Sequence, residues 1–260
     1  IMIAFFFSRS LDGRGIGTTE IYDPTLNTWT AGPNMSSLGP YNTGSGTSNS
    51  GTPGMRYGHR MAMLPDGRVL IAGGLWRGAD MVDYAMEDCE IFDPVGNTMT
   101  VGTSMNAPRG RFGLVDIGNG KFLAAGGLYY QAPNSIPAYY ISTSDAEIFD
   151  ATTNTWTSVA PLPHGMYDFA VASPAAGRVL IFDGFDVEGT EAGDILLYDD
   201  IFNTWTSVGT LVTSRSFPFS NGAHVAVDVG GQDFFLCGGA HYSESTGQTT
   251  FLTTGERFKY

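Results

Sequence analysis

The chain has little positive charge. Two lysines, Lys121 and Lys259, stand beside eleven arginines and face 26 acidic residues, for a formal net charge of −13. Binding to nucleic acid or to an anionic membrane in general needs a basic surface, and this balance argues against both. It favours solubility and a cationic or neutral partner. Charged residues make up only 15% of the chain. Ser, Thr, Asn and Gly therefore supply most of the polarity, as expected of a protein working outside the cell or on a cell or particle surface. Cysteine is scarce: Cys89 and Cys237 fall in strands of distant repeats, a poor geometry for a bridge, and read as small buried hydrophobes. No apolar run is long enough to span a bilayer. Residues 1–7 are apolar but too short for a signal-peptide core with flanks, and fit a strand better. Histidine occurs four times, at His59, His164, His224 and His241, with no spaced Cys/His metal motif. A phosphate loop and a Ser-His-Asp order are also missing. Aromatics at 13% exclude a disordered chain, and 260 residues suffice for a sizeable core.

What the chain does have is repetition. One phrase occurs four times: Glu20-Ile-Tyr-Asp-Pro24 with Asn27-Thr-Trp-Thr30, Glu90-Ile-Phe-Asp-Pro94 with Asn97-Thr-Met-Thr100, Glu147-Ile-Phe-Asp150 with Asn154-Thr-Trp-Thr157, and Leu196-Leu-Tyr-Asp199 with Asn203-Thr-Trp-Thr206. A second phrase recurs as Arg68-Val-Leu-Ile-Ala-Gly-Gly74, Lys121-Phe-Leu-Ala-Ala-Gly-Gly127, Arg178-Val-Leu-Ile-Phe-Asp-Gly184 and Asp233-Phe-Phe-Leu-Cys-Gly-Gly239. A period of about fifty residues, built from short apolar runs, a Gly pair and a fixed Trp, predicts propeller blades. Each repeat supplies four strands, A to D. In the second repeat these are residues 57–64, 68–72, 89–92 and 99–101. They are short, β-branched or aromatic, and bounded by Gly, Pro, Asn and Asp. The Gly pair lets the backbone twist or approach a neighbour. The strand-D Trp, replaced by Met99 in the second repeat, offers an apolar plate to the next blade.

These elements resemble the kelch family of β-propellers over nearly the whole chain. The run from Arg56 to Gly74 also looks like the propeller of galactose oxidase relatives. The resemblance implies an all-β, kelch-type propeller. It has five recognisable four-stranded blades in one domain over 1–260, at about 1–35, 55–105, 108–160, 163–209 and 214–260. A flexible connection covers 36–54. The first repeat begins inside strand B and the last stops in strand C, so the first blade lacks A and the fifth lacks D. Two explanations stand: a fragment or processed product, or completion by another chain through open edges at Ile1–Ala4 and Glu256–Tyr260.

The A–B and C–D turns are short and regular, and that face reads as scaffolding. The B–C connections, 75–88, 128–145, 185–193 and 240–255, are long and differ between repeats. Variable loops on a rigid scaffold are where binding usually resides. They carry Trp76, Arg77 and Tyr84, then Tyr129, Tyr130, Tyr139 and Tyr140, then His241 and Tyr242. Aromatics with neighbouring carboxylates suit protein or sugar recognition, and equally suit packing of the loops onto the blades. Arg56, Arg109 and Arg215 start the A strands, with His164 in the equivalent place of the fourth blade. Kelch propellers that bind acidic peptides use such arginines, so the resemblance implies an anion or carboxylate site. The competing reading pairs each Arg with an acidic residue of a neighbouring blade.

Copper radical chemistry of the galactose oxidase type needs two His, a ligating Tyr and a Tyr–Cys crosslink, which this chain does not assemble. The expectation is a non-catalytic binding or structural module for a protein or carbohydrate, with no catalytic residue, metal or cofactor assigned. The alternative is a sugar-active enzyme with its site at the channel mouth, first of mutarotase or epimerase type, with Arg and a carboxylate such as Glu87, Asp186 or Glu188 there, and second of copper oxidase type.

Overall fold

The computed structural model describes residues 2–4, 17–36, 56–77, 83–130, 140–186, 193–215, 225–243 and 248–260. Side chains at 2–4, 77, 130 and 241–243 are not part of that description. The expected flexible connection 36–54 lies outside it except for Ser36. Among the described residues every regular element is a strand.

The first sheet holds β1 (Met2–Ala4), β2 (Glu20–Asp23) and β3 (Thr28–Ala31), in that order. The second repeat gives β4 (Arg60–Met63), β5 (Val69–Ala72), a hairpin of β6 (Leu75–Arg77) and β7 (Asp83–Ala85), then β8 (Cys89–Asp93) and β9 (Thr98–Val101). Its main sheet runs β4-β5-β8-β9. The third gives β10 (Gly113–Gly118), β11 (Lys121–Ala125), a two-stranded sheet of β12 (Leu128–Tyr130) and β13 (Tyr140–Ser142), then β14 (Ala146–Asp150) and β15 (Thr155–Val159). The fourth gives β16 (Ala170–Ala175), β17 (Arg178–Phe182), β18 (Asp194–Asp199) and β19 (Thr204–Thr210). The last gives β20 (Val225–Asp228), β21 (Asp233–Cys237), a hairpin of β22 (Ala240–Ser243) and β23 (Gln248–Phe251), and β24 (Gly255–Lys259). Its sheet is β20-β21-β24. The A-B-C-D order read from the sequence is the observed order, and all the pairings are antiparallel where register is defined. The long B–C connections differ from the expectation of plain loops: three of them fold into two-stranded sheets of their own.

Two compact units are present: Ile1–Arg111 with Tyr129–Tyr139 and Ala151–Trp156, and Phe112–Leu128 with Tyr140–Asp150 and Thr157–Tyr260. In the first, Val69, Ile71 and Phe92 pack with Met35 and with Ile21 of the preceding repeat. In the second, one layer joins Leu123 and Ile148 to Val179, Ile181 and Tyr198. A second layer joins Leu180 and Phe182 to Phe234 and Leu236. Alternate residues of β17 thus face opposite ways, Val179 and Ile181 to the repeat before and Leu180 and Phe182 to the repeat after, as period-2 alternation requires.

The repeated phrases have local causes. The Asp that closes strand C accepts two backbone N–H bonds in its own turn: Asp23 from Thr25 and Leu26, Asp93 from Val95 and Gly96, Asp199 from Ile201 and Phe202. The Asn that follows adopts a left-handed backbone, with φ of 52°, 49°, 56° and 51° at Asn27, Asn97, Asn154 and Asn203. The Trp of strand D turns out to serve the preceding repeat, not the next. Its indole N–H donates to Thr103 O from Trp156 (3.0 Å) and to Ala160 O from Trp205 (2.9 Å).

The Gly pair is explained by its dihedrals. The first position has φ of 59° at Gly73, 61° at Gly126 and 78° at Gly238, a left-handed value that Asp183 also adopts at 60°. The second has φ of 114°, 115°, 147° and 88°, and all four residues there are Gly. The second N–H also leaves its own sheet: Gly74 donates to Arg109 O and Gly127 to Met166 O. A Cβ on Gly74 would lie 3.1 Å from His59 Cβ and 3.1 Å from Tyr57 O. Gly74→Ala is therefore expected to cost about 2–3 kcal/mol, from backbone strain with the close contacts added. Gly67→Ala, at φ 86° with nothing near its Cβ, should cost about 1 kcal/mol from strain alone. Urea midpoints of the two variants check this, and equal losses would contradict it.

Candidate functional site

Arg56 sits just before β4, buried to 2% exposure. Its Nη1 donates to Gly73 O and Asp88 O at 3.0 Å each, and its Nη2 donates to Glu90 Oε2 at 2.9 Å. Gly73 and Glu90 lie at the B and C strands of the same repeat, so the arginine ties its own sheet together. Glu90 Oε1 then accepts the Ser36 N–H and hydroxyl, from the chain leaving the preceding repeat. Burial pulls the Arg56 pKa down, with Glu90 first among the charges that oppose this.

Arg215 repeats the arrangement in the other unit. It is fully buried; Nη1 donates to Gly238 O (3.1 Å) and Thr254 O (2.8 Å), while Nε and Nη2 reach Glu256 Oε1 at 3.2 and 3.0 Å. Its N–H donates to Asp183, which also accepts the Ser214 hydroxyl and the Gly193 N–H. The Asp that stands for the first Gly in this repeat is thereby a link to the next. Arg109 is fully buried as well, as is Glu147, the residue in the place of Glu90. For Arg56 and Arg215 the acidic partner is in the same repeat, not in a neighbouring blade as expected. A guanidinium so enclosed has its terminal Nη donors spent on carbonyls and a carboxylate, while Arg56 Nε is buried without a hydrogen-bond partner.

The loop aromatics divide. Trp76 and Tyr84 are directly paired across the β6–β7 hairpin, with ring centroids 5.8 Å apart. They are 5% and 7% exposed and pack with Met86. These two rings fold the hairpin. Tyr140 is half-buried against Leu128, Tyr167 and Phe185. Tyr129 and His164 are half-buried too. The Arg77, Tyr130, His241 and Tyr242 side chains and all of Tyr139 lie outside the described residues, as does Glu188. Among the described residues no group of three or more His, Cys, Asp or Glu is placed to hold a metal ion. Both cysteines are free thiols, and burial pushes Cys89 up to about 12.

The sequence reading missed the acceptors Glu90, Glu256 and Asp183. The signal was present: a Glu begins strand C in every repeat that begins strand A with Arg. It also missed a feature of the face read as scaffolding. The C–D turns carry exposed apolar tips at Leu26, Val95, Ile201 and Phe202, Val95 being 94% exposed.

No protein-family model matches the chain. Similar curated proteins are the F-box/kelch-repeat protein SKIP20 of Arabidopsis thaliana (25% identical over 57% of this chain and 35% of that protein) and Kelch-like protein 7 of Rattus norvegicus (28% over 59% and 24%). The chain spans about a third or less of the length of these relatives. A solved structure described as "Structure of YjhT" superposes with a TM-score of 0.66 over 95% of this chain and 77% of its own, at 14% identity. The co-registered repeats are similar to those of kelch-repeat proteins, and the four-stranded antiparallel sheets they build, with the superposition on that structure, give the chain the kelch-type β-propeller fold.

Proposed function

We propose that the chain is a non-catalytic protein-binding module whose contacts are made by the B–C connections. One observation carries this reading. The residues common to the repeats are consumed by the scaffold, whereas the β6–β7, β12–β13 and β22–β23 segments differ in length and sequence. Each is an added element that the four-stranded sheets do not need, on a rigid base. The partner is a protein with a neutral or basic face, given the charge of −13. A protein suits the site better than a glycan, because the Trp76 and Tyr84 ring faces are buried in their own hairpin and cannot stack on a sugar. Nor does Arg56 support a sugar-active site, since its Nη1 and Nη2 are engaged inside the sheet.

A photo-crosslinking amino acid tests this at Tyr129, in a B–C connection, against Val95, in a C–D turn. Capture of a discrete protein from Tyr129 and not from Val95 is the expected result. Tyr129→Ala and Tyr140→Ala should then each weaken that partner by about 3- to 10-fold, the range of a single aromatic contact. Capture from Val95 alone, or affinity unchanged in both tyrosine variants, would overturn the reading.

A further inference from the structure

The second repeat carries sulfur where other repeats carry hydrocarbon or indole. A row across its sheet runs Met63, Val69, Phe92, Met99, each opposite the next. Met61, two residues before Met63 on β4, shares that face and stands opposite Ile71. The preceding repeat packs against this face through Ile21 and Met35. Met35, Met61 and Met99 thus belong to one joint between two repeats of the same unit.

The equivalent places elsewhere hold other residues. Where Met61 faces Ile71, Leu114 faces Ala124, Val171 faces Ile181 and Ala226 faces Leu236. Trp29, Trp156 and Trp205 hold the place of Met99. Met35 and Met105 stand where Leu162 and Leu211 stand, each N–H bonded to a carbonyl just ahead of strand C. Access to the sulfurs is graded. Met63 is 73% exposed, Met61 and Met99 are half-buried, and Met35, Met86, Met105 and Met166 are buried. A small oxidant therefore reaches Met61 and Met99 from the rim of the folded sheet, while both still pack on the core of the joint.

We infer that Met61 and Met99 form a modification site, and that their oxidation to methionine sulfoxide opens the joint between the first and second repeats. The oxidant is hydrogen peroxide. The thioether sulfur attacks one peroxide oxygen, an S–O bond forms as the O–O bond breaks, and the proton of the transferred oxygen passes to the departing one, which leaves as water. Sulfur loses two electrons and the peroxide gains them. The new oxygen is a strong acceptor beside Ile21, Val69, Ile71 and Phe92, whose side chains have no hydrogen-bond donor. The sulfoxide turns to water and withdraws its packing from the joint. Leucine, valine or alanine in the same place offers the peroxide no sulfur to attack. The site is separate from the hairpin surface and stands or falls independently of it.

The test treats the full chain with hydrogen peroxide, locates each sulfoxide by peptide mass spectrometry and reads the joint by amide exchange. Met63 should oxidise first, and Met61 and Met99 next, about fivefold or more faster than the buried Met166. As those two convert, the amides of β8 and β9 should exchange about tenfold faster, while those of β17 in the other unit keep their rate. The double variant Met61→Leu with Met99→Leu retains Met63 and both cysteines, and peroxide should leave its β8 and β9 exchange unchanged. Met99→Leu alone is the milder check and should cut the acceleration about threefold. Full conversion of Met61 and Met99 with unchanged exchange would overturn the inference. So would complete oxidation of Met63 with neither of the two converted, or the same acceleration in the leucine variants.

Discussion

Arg56→Ala is expected to lower the stability of the fold by about 3–5 kcal/mol, the cost of stripping one partner from a buried ion pair. Both side chains of the Arg56–Glu90 pair are fully buried. Truncating the arginine leaves the Glu90 carboxylate enclosed without its cation and orphans the Gly73 and Asp88 carbonyls. In a domain of this size the loss corresponds to a fall in Tm on the order of 10 °C. The paired replacement Arg56→Met with Glu90→Leu should recover most of it, because two apolar groups of similar volume need no compensation. Thermal unfolding of the wild type, the single variant and the double variant measures both numbers. A single variant as stable as the wild type would show that Arg56 is not holding the sheet.

Acid should destabilise the protein through His59. Burial is the main reason that its pKa is lowered from 6.5 to about 3, with the Arg56 and Arg60 charges adding to the effect. The folded form therefore holds the imidazole neutral, while the unfolded chain binds a proton near pH 6.5. Between those values the unfolded state carries more protons, so stability rises with pH there. The contribution is fully present above about pH 6.5 and is lost as the pH falls toward about 3. The slope is about 1.4 kcal/mol per pH unit, or roughly 4–5 kcal/mol over the whole interval. Carboxylates titrate in the lower part of the same window, so the informative quantity is a difference. His59→Gln removes the titration and keeps a polar side chain. From pH 7.5 to 5 the wild type should lose about 2 kcal/mol more than the variant. Parallel pH profiles would contradict the assignment.

Much of this architecture was legible in the sequence because period and turn chemistry are local. The Asp of the C–D turn, the left-handed Asn and the second Gly of each pair are dictated by backbone dihedrals within a few residues. The strands of the second repeat appear within a few residues of their expected bounds for the same reason. What was not legible is direction. A strand pattern says that Trp76 and Tyr84 alternate with polar neighbours, but not that the two face each other across a hairpin. It marks Trp205 as a large apolar residue without saying that its indole reaches backward to Ala160. Arg56 reads as a charge near the start of a strand. Its burial depends on Glu90 and Ser36, which are distant in sequence and reached only after the sheet has formed. For the candidate site the sequence therefore marked positions, and tertiary packing moved the arginines and two of the aromatics from surface to scaffold.

The exposed apolar residues of the last sheet carry the same lesson. Phe235 is 41% exposed, although Leu70, Leu123 and Leu180 at its place in other repeats are buried. For Leu180 the cover is the layer containing Phe234 and Leu236. Identical patterning therefore does not by itself say how deeply a residue is buried.

The central claim is that the strand-A arginines belong to the scaffold and do not face a ligand. Arginine-specific modification of the native protein with phenylglyoxal, read by peptide mass spectrometry, tests it most directly. Arg56, Arg109 and Arg215 should remain unmodified while the half-exposed Arg68 and the exposed Arg257 react. Modification of Arg56, Arg109 and Arg215 at the rate of Arg257 would contradict the account and return those three residues to the binding surface.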